Sequence, residues 1–265
     1  MYKRVGPACL LIPYRRLLLN LSRNDLASRF AGSILGLGWI VLSPLVLLAI
    51  YAVVYLVIFR VRAVGLTPVD YVLYIFSGLV PFLVTAQALC LGVQSVVSNK
   101  AVLSNTVFPI DLAPAKAVLI SQGSMIVGLP LIIVATVFTL RISWAVLLVP
   151  VVWGLHMLAL IGIAWILSLL NVVFRDLENL VAAVIPMLMV LSPIAYTPEM
   201  VPSQLKLLLM LNPMAYYVTT YQSLLLYGEL PSPVMCGMLV VLSLGFFFSG
   251  SWFFGRAKEA VIDYV

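Results

Sequence analysis

The sequence predicts an all-α membrane protein of six crossing helices, and three observations predict it. Its residues are 64% apolar with a mean hydropathy of +1.18, well above the roughly 45–50% apolar content of soluble domains. Six apolar runs reach or approach the roughly 20 residues with which a helix crosses a hydrocarbon core of about 30 Å. The charged residues, 9% of the chain, fall between those runs and not within them. The whole chain therefore reads as one polytopic membrane domain: a tail and surface helix over 1–34, a six-span bundle over 37–255 and a short tail over 256–265.

The N-terminal region is not read as a cleavable signal, because its first long apolar run begins more than thirty residues in, behind a mixed, basic stretch. From Ser22 it reads as an amphipathic helix lying on the membrane. Ser22 with Asp25 resembles a capping box, Leu26, Phe30 and Ile34 recur at helical spacing, and Asn24, Ser28 and Arg29 take the other side. Arg23, Asp25, Arg29 and Phe30 are its marker residues. Tyr14, Leu17, Leu18 and Leu21 form a different stripe, which predicts a break near Ser22. The basic tail serves either to set topology on anionic lipid or to admit a substrate.

The six spans are placed at 37–59, 71–97, 117–140, 144–174, 180–196 and 234–254. The fourth is long enough to tilt, and the fifth sits at the short limit. Pro44, Pro81, Pro130, Pro150 and Pro186 fall within them and should kink or locally unwind them. Between the fifth and sixth spans, the apolar pieces 205–211 and 214–226 are too short to cross at 1.5 Å per residue. Broken by Asn212 and Pro213, they suit two short helices that dip into the outer leaflet and return; the alternative is an amphipathic external loop.

Orientation follows from Lys and Arg. With the N-terminus inside, the cytoplasmic parts hold eleven of the 15 and the external parts four, namely Arg60, Arg62, Arg141 and Lys206. Both termini are then cytoplasmic, and the island Arg175, Asp176 and Glu178 is a cytoplasmic turn. Topology accounts for the net charge of +6, so no nucleic-acid partner is called for. Cys9, Cys90 and Cys236 have neither metal nor redox spacing. No metal site and no catalytic residue is assigned. The sequence has no G-x-x-x-x-G-K-[ST] loop, and no Gly is followed by Lys. His156, the lone histidine, reads first as a hydrogen-bonded packing residue and only second as a proton shuttle.

Four stretches carry a resemblance: "RNDLASRFAGSILGLGWIVLSPL" (23–45), "NTVFPIDLAPAKAVL" (105–119), "NVVFRDLENLV" (171–181) and "LSPIAYTPEMVP" (191–202) with "LNPM" (211–214). In order and spacing they resemble the permeases of bacterial ATP-binding-cassette exporters of the type-2 class, in the branch that exports O-antigen, capsule and teichoic-acid polysaccharides, and most of all the O-antigen permeases. The resemblance implies a homodimer in the bacterial inner membrane, coupled to two copies of an ATPase subunit. That subunit would bind the ATP and Mg, leaving this chain without a cofactor, and the substrate would be a polysaccharide on polyprenyl diphosphate. It also implies that short cytoplasmic segments insert into the ATPase. Asn99, Lys100, Val102, Leu103, Asn105 and Phe108 form the first such segment, and Phe174, Arg175, Asp176 and Glu178 the second.

A glycan needs a wall that binds sugar C–H faces without fixing a hydroxyl pattern, which aromatic rings provide, as they do for stacked bases. Tyr51, Tyr55, Phe59 and Tyr74 are the candidate pore lining, Tyr51 and Tyr55 being one helical turn apart. Glu199, Asn212, Pro213 and Tyr217 are the candidate outer gate, with Asn212-Pro213 as its hinge. Two other readings stand beside this one: a permease of the same class for a drug or small lipid, and a polytopic membrane enzyme, for which Asp176 with Glu178 is the nearest approach to a carboxylate pair.

Overall fold

The computed structural model describes residues 6–29, 32–58, 67–99, 109–139 and 143–262, and among these it contains helices and no strand. Helices α1 (Pro7–Leu11) and α2 (Arg15–Arg29) come first, parted by a turn at 12–14 that holds Pro13. The break expected near Ser22 is absent. Leu18 and Ser22 are both buried and Leu26 lines a cavity, so the three form one stripe at a spacing of four. Ser22 is thus part of the packed face of α2 and caps nothing, while Asp25 pairs with Lys116.

Helix α3 (Trp39–Ala52) follows a 3-10 turn, and its 14 residues are extended by 6 more in π turns over Val53–Ile58. Next come α4 (Pro68–Ser98), α5 (Leu112–Ser121) and α6 (Gly123–Phe138), the last two meeting at Gln122. Helix α7 (Val149–Val173) is led in by a 3-10 stretch, Trp144–Leu148, and α8 is Leu177–Leu191. The short α9 (Lys206–Leu211) and α10 (Pro213–Gln222) meet at Asn212, and a π stretch, Ser223–Tyr227, prolongs α10 before α11 (Pro233–Ile262).

Among the described residues, four helices are long and apolar enough to cross a membrane: Pro68–Ser98, Leu112–Phe138, Trp144–Val173 and Pro233–Ala260. Trp39–Tyr55 and Leu177–Leu191 are apolar but shorter. Three boundaries depart from the sequence reading. The third span starts at Leu112 and so takes in Lys116. The sixth runs on to Ile262 and takes in Arg256 and Lys258. The fifth ends at Leu191, because Ser192 precedes Pro193 and is held extended at φ −91°, ψ 139°. Pro44, Pro81, Pro130 and Pro186 lie inside their helices. Pro150 does not: it stands in the first turn of α7, where its missing N–H costs nothing.

Helix α4 is the axis of the bundle. Thr67 and Asp70 start it with a reciprocal capping box, Thr67 Oγ1 accepting from the Asp70 N–H and the Thr67 N–H donating to the Asp70 carboxylate. Its Ile75, Leu79, Val80, Val84 and Val93 are fully buried. It packs on α7, α5, α6 and α10. Helices α7 and α11 cross in backbone contact: a Cβ on Gly162 would lie 2.1 Å from the Phe246 carbonyl oxygen, and one on Gly250 would lie 2.1 Å from that of Gly162. Small residues permit such crossings in membranes, where close packing rather than the hydrophobic effect holds helices together.

Candidate functional site

Two ends of the bundle differ in character. One gathers α1, α2, the last turns of α11, the exit of α4 and the start of α5; we call it proximal. There Lys116 Nζ lies 2.8 Å from the Asp25 carboxylate and donates to Asn99 Oδ1 at 3.1 Å, and Asn99 Nδ2 donates to the Ser95 carbonyl at 2.7 Å. Lys258 Nζ lies 2.7 Å from Asp111 Oδ1, while Trp165 Nε1 donates to the Asp111 carbonyl at 2.9 Å. The turn at 174–176 between α7 and α8 lies at the C-terminal end of α7. Phe174, Arg175, Asp176 and Glu178 are all exposed there, Phe174 at 64% despite being aromatic.

At the distal end, the chain after α8 runs as irregular backbone over 192–196, and Ser192 to Ala195 are buried. Irregular backbone survives at such depth only when protein satisfies it. Side chains do so here. Gln222 Nε2 donates to the carbonyls of Pro193 at 2.9 Å and Ile194 at 3.4 Å, Tyr71 OH to that of Ala195 at 2.5 Å, and Tyr74 OH to that of Tyr196 at 3.1 Å. Asn212 caps α10 by accepting from the Met214 N–H at 2.9 Å and donates to Ser192 Oγ at 3.0 Å. Helix α10 thus braces the segment at both of its ends.

Tyrosines link this end to the flank of the bundle. The rings of Tyr51 and Tyr55 stack at 5.8 Å, Tyr55 meets Tyr71 at 6.5 Å, Tyr71 stacks on Tyr74 at 6.3 Å, and Tyr74 meets Tyr227 at 6.3 Å. Deeper in, the His156 ring stacks on Tyr217 at 4.4 Å, its Nε2 is 2.9 Å from Thr85 Oγ1, and Tyr217 OH is 2.7 Å from Ser243 Oγ. The histidine is buried and ties α4, α7, α10 and α11 together, the packing role expected of it. Near the proximal end, a cavity of about 520 Å³ opens between α2, α3, α4, α5, α6 and α8, lined mostly by apolar side chains such as Leu26, Ile40, Pro44 and Ile185.

The profile of the ABC-2 type transporter family matches residues 16–226. The chain belongs to that family. The permease is 26% identical over 252 residues to a protein of Myxococcus xanthus named O-antigen export system permease protein RfbA, covering 94% of this chain and 95% of the relative. It is 28% identical over 223 residues to a protein of the same name from Klebsiella pneumoniae, covering 81% and 82%.

The geometry sorts the residues singled out in the sequence. Tyr51 and Tyr55 share a face of the permease, as their spacing predicts, and are partly exposed on α3. Tyr74 is buried inside the protomer, and its hydroxyl holds the 192–196 segment. Asn212-Pro213 is a capped and bonded joint in this conformation. Tyr217, only 3% exposed, lies in the core, at a depth that the shortness of α10 does not reveal. Glu199 stands in the 3-10 turn Pro198–Met200. Arg23, Asp25 and Arg29 are on α2 as expected. Phe30, Phe59, Lys100, Val102, Leu103, Asn105 and Phe108 lie outside the described residues.

Sequence reasoning missed Gln222, Lys116, Asp111 and Lys258. The first sits in a run of otherwise unremarkable polar and apolar residues, and its partners are distant in the chain. The capping box of α4 was legible, since Thr-Pro-Val-Asp at 67–70 has the required spacing. A labelling experiment checks the new placement of α10. With the native cysteines replaced, a cysteine at the exposed Leu208 is expected to react with a membrane-impermeant thiol reagent in the resting permease, and one at Tyr217 to stay silent. Equal reaction rates at both positions would show that α10 is not packed as described.

Proposed function

We propose that the chain is the membrane-spanning subunit of an ATP-driven exporter that moves a polysaccharide, still attached to polyprenyl diphosphate, across a bacterial inner membrane. It works as a homodimer with two copies of a separate ATPase subunit, which binds ATP and Mg. Both termini are cytoplasmic, so the proximal end faces the ATPase and the distal end opens outward, with α3 and α8 completing six crossings. The observation that carries the polysaccharide reading is the near end-to-end alignment with relatives named as O-antigen export permeases. The stacked and partly exposed pair Tyr51 and Tyr55 supports it, since ring faces hold sugars without demanding one hydroxyl pattern. The apolar cavity beside α2 supports it as well, by offering a surface to a lipid carrier.

In this reading the connection between α4 and α5, with Asn99 at its start, and the turn Phe174 to Glu178 receive the stroke of the ATPase. Helices α9 and α10 are re-entrant from the outside and form the gate together with Glu199, Asn212, Pro213 and Tyr217, opening only when the bonds at Asn212 give way. Deleting the gene in its host is expected to remove long-chain polysaccharide from the cell surface while lipid-linked polymer accumulates inside. The purified chain is expected to hydrolyse no ATP until it is co-expressed with its ATPase. Normal surface polysaccharide in the deletion strain, read on gels of surface extracts, would refute the substrate assignment, and ATP hydrolysis by the contaminant-free chain would refute the division of labour.

A further inference from the structure

The connection between α4 and α5 is tied at each end, at Asn99 and at Asp111, by a mostly buried cation to an element remote in sequence. At its start, Asn99 accepts from Lys116, which also meets Asp25 on α2. At its far end, Asp111 meets Lys258 on α11, and its carbonyl accepts from Trp165 on α7. The Lys116 side chain is 12% exposed and that of Asp111 5%, against 43% for Asp25. A cation or carboxylate so far removed from water is strongly disfavoured without its partner, so pulling either pair apart strands a charge. Neither α2 nor the end of α11 can part from the start of α5 without that penalty.

We propose that Asp25, Lys116 and Asn99, together with Asp111 and Lys258, are positioning residues that make the exit of α4, the start of α5, α2 and the end of α11 move as one body. A push on the connection then reaches the N-terminal helix and α11 directly, through bonded groups, and need not pass through the bundle core. The proposal rests on the reading of the chain as an ATP-coupled exporter and adds to it the route by which the stroke leaves the connection.

The test uses the permease co-expressed with its ATPase in the host, the three native cysteines replaced, with surface polysaccharide and the ATP hydrolysis of the purified complex as readouts. Asp25→Ala removes the more exposed partner. It is expected to cut export by about tenfold, the scale of a coupling between sites, while ATP hydrolysis continues. The variant D25C/K116C should be equally impaired until a short, membrane-permeant bifunctional thiol reagent links the two positions, and linking should restore export. That comparison is made within one folded protein, so a loss of folding cannot mimic it. Wild-type export by Asp25→Ala, or export that stays low after linking, would overturn the proposal. A parent complex that fails to export polysaccharide at all would instead overturn the reading beneath it.

Discussion

Gly162→Val is expected to abolish the folded permease. In the crossing of α7 and α11, the Cβ of any other residue at 162 would fall 2.1 Å from the Phe246 carbonyl oxygen and 2.3 Å from its carbon. Both are backbone atoms, so no rotamer change makes room and the two helices must separate along their contact. Overpacking a core costs about 1–3 kcal/mol when side chains can yield; here they cannot, and the loss lies at or above the top of that range. Gly250→Val should behave alike, because its Cβ would strike the backbone of Gly162. Gly154 and Gly237 are the controls: a Cβ there meets nothing within 4 Å, so alanine at either position should leave the protein unchanged. Thermal unfolding of the detergent-solubilised protein, followed by size exclusion, measures the difference. A Gly162→Val protein as stable as the Gly154→Ala control would show that the two helices do not touch.

Gln222→Leu is expected to have the next largest effect. Its amide reaches the carbonyls of Pro193 and Ile194, in a segment whose own backbone bond, Ile194 N–H to the Ser192 carbonyl at 2.7 Å, leaves both of those carbonyls to donors from other elements. Leucine preserves the bulk and removes the donor. A buried carbonyl left unpaired costs about 1–3 kcal/mol, and Gln222 is 2% exposed, so water cannot replace it readily. Stability should fall by about 2 kcal/mol on that scale, with export falling alongside if α10 and the 192–196 segment move as a gate. Tyr216→Phe serves as the comparison. It removes a similar side-chain bond to a carbonyl, that of Met210, but an exposed one, and should cost little. Equal losses from the two substitutions would mean that Gln222 does not hold the buried segment.

The two expectations differ in how far the sequence could have led to them. That Gly162 lies in a span is plain from composition; that it faces Gly250 is not, since α7 has several small residues and periodicity does not say which one meets a neighbour. Gln222 is a polar residue in a run too short to cross, so its depth was hidden as well. The stretch 180–196 shows the same boundary. Its apolar character predicts helix to the end, while Ser192-Pro193 carries the local signal that stops the helix at Leu191.

What the sequence by itself determined was the solvent and the class: the apolar fraction forces helices, the placement of charges separates them, and four stretches with their spacing point to the family. It also determined the shortness of α9 and α10 and the shared face of Tyr51 and Tyr55, because length and helical period are local properties. Only the tertiary structure decided where the sparse polar groups go. Lys116 reads as a loop residue until Asp25 and Asn99 are seen around it, Gln222 reads as one polar residue among several until its amide is seen on two buried carbonyls, and Ser22 reads as a cap until Leu18 and Leu26 are seen on its face. The partner of a buried polar group such as Gln222 or Lys116 is set by the packing of distant helices rather than by a neighbour in sequence, and Ser22 Oγ, buried with no hydrogen-bond partner, shows that packing can also withhold one.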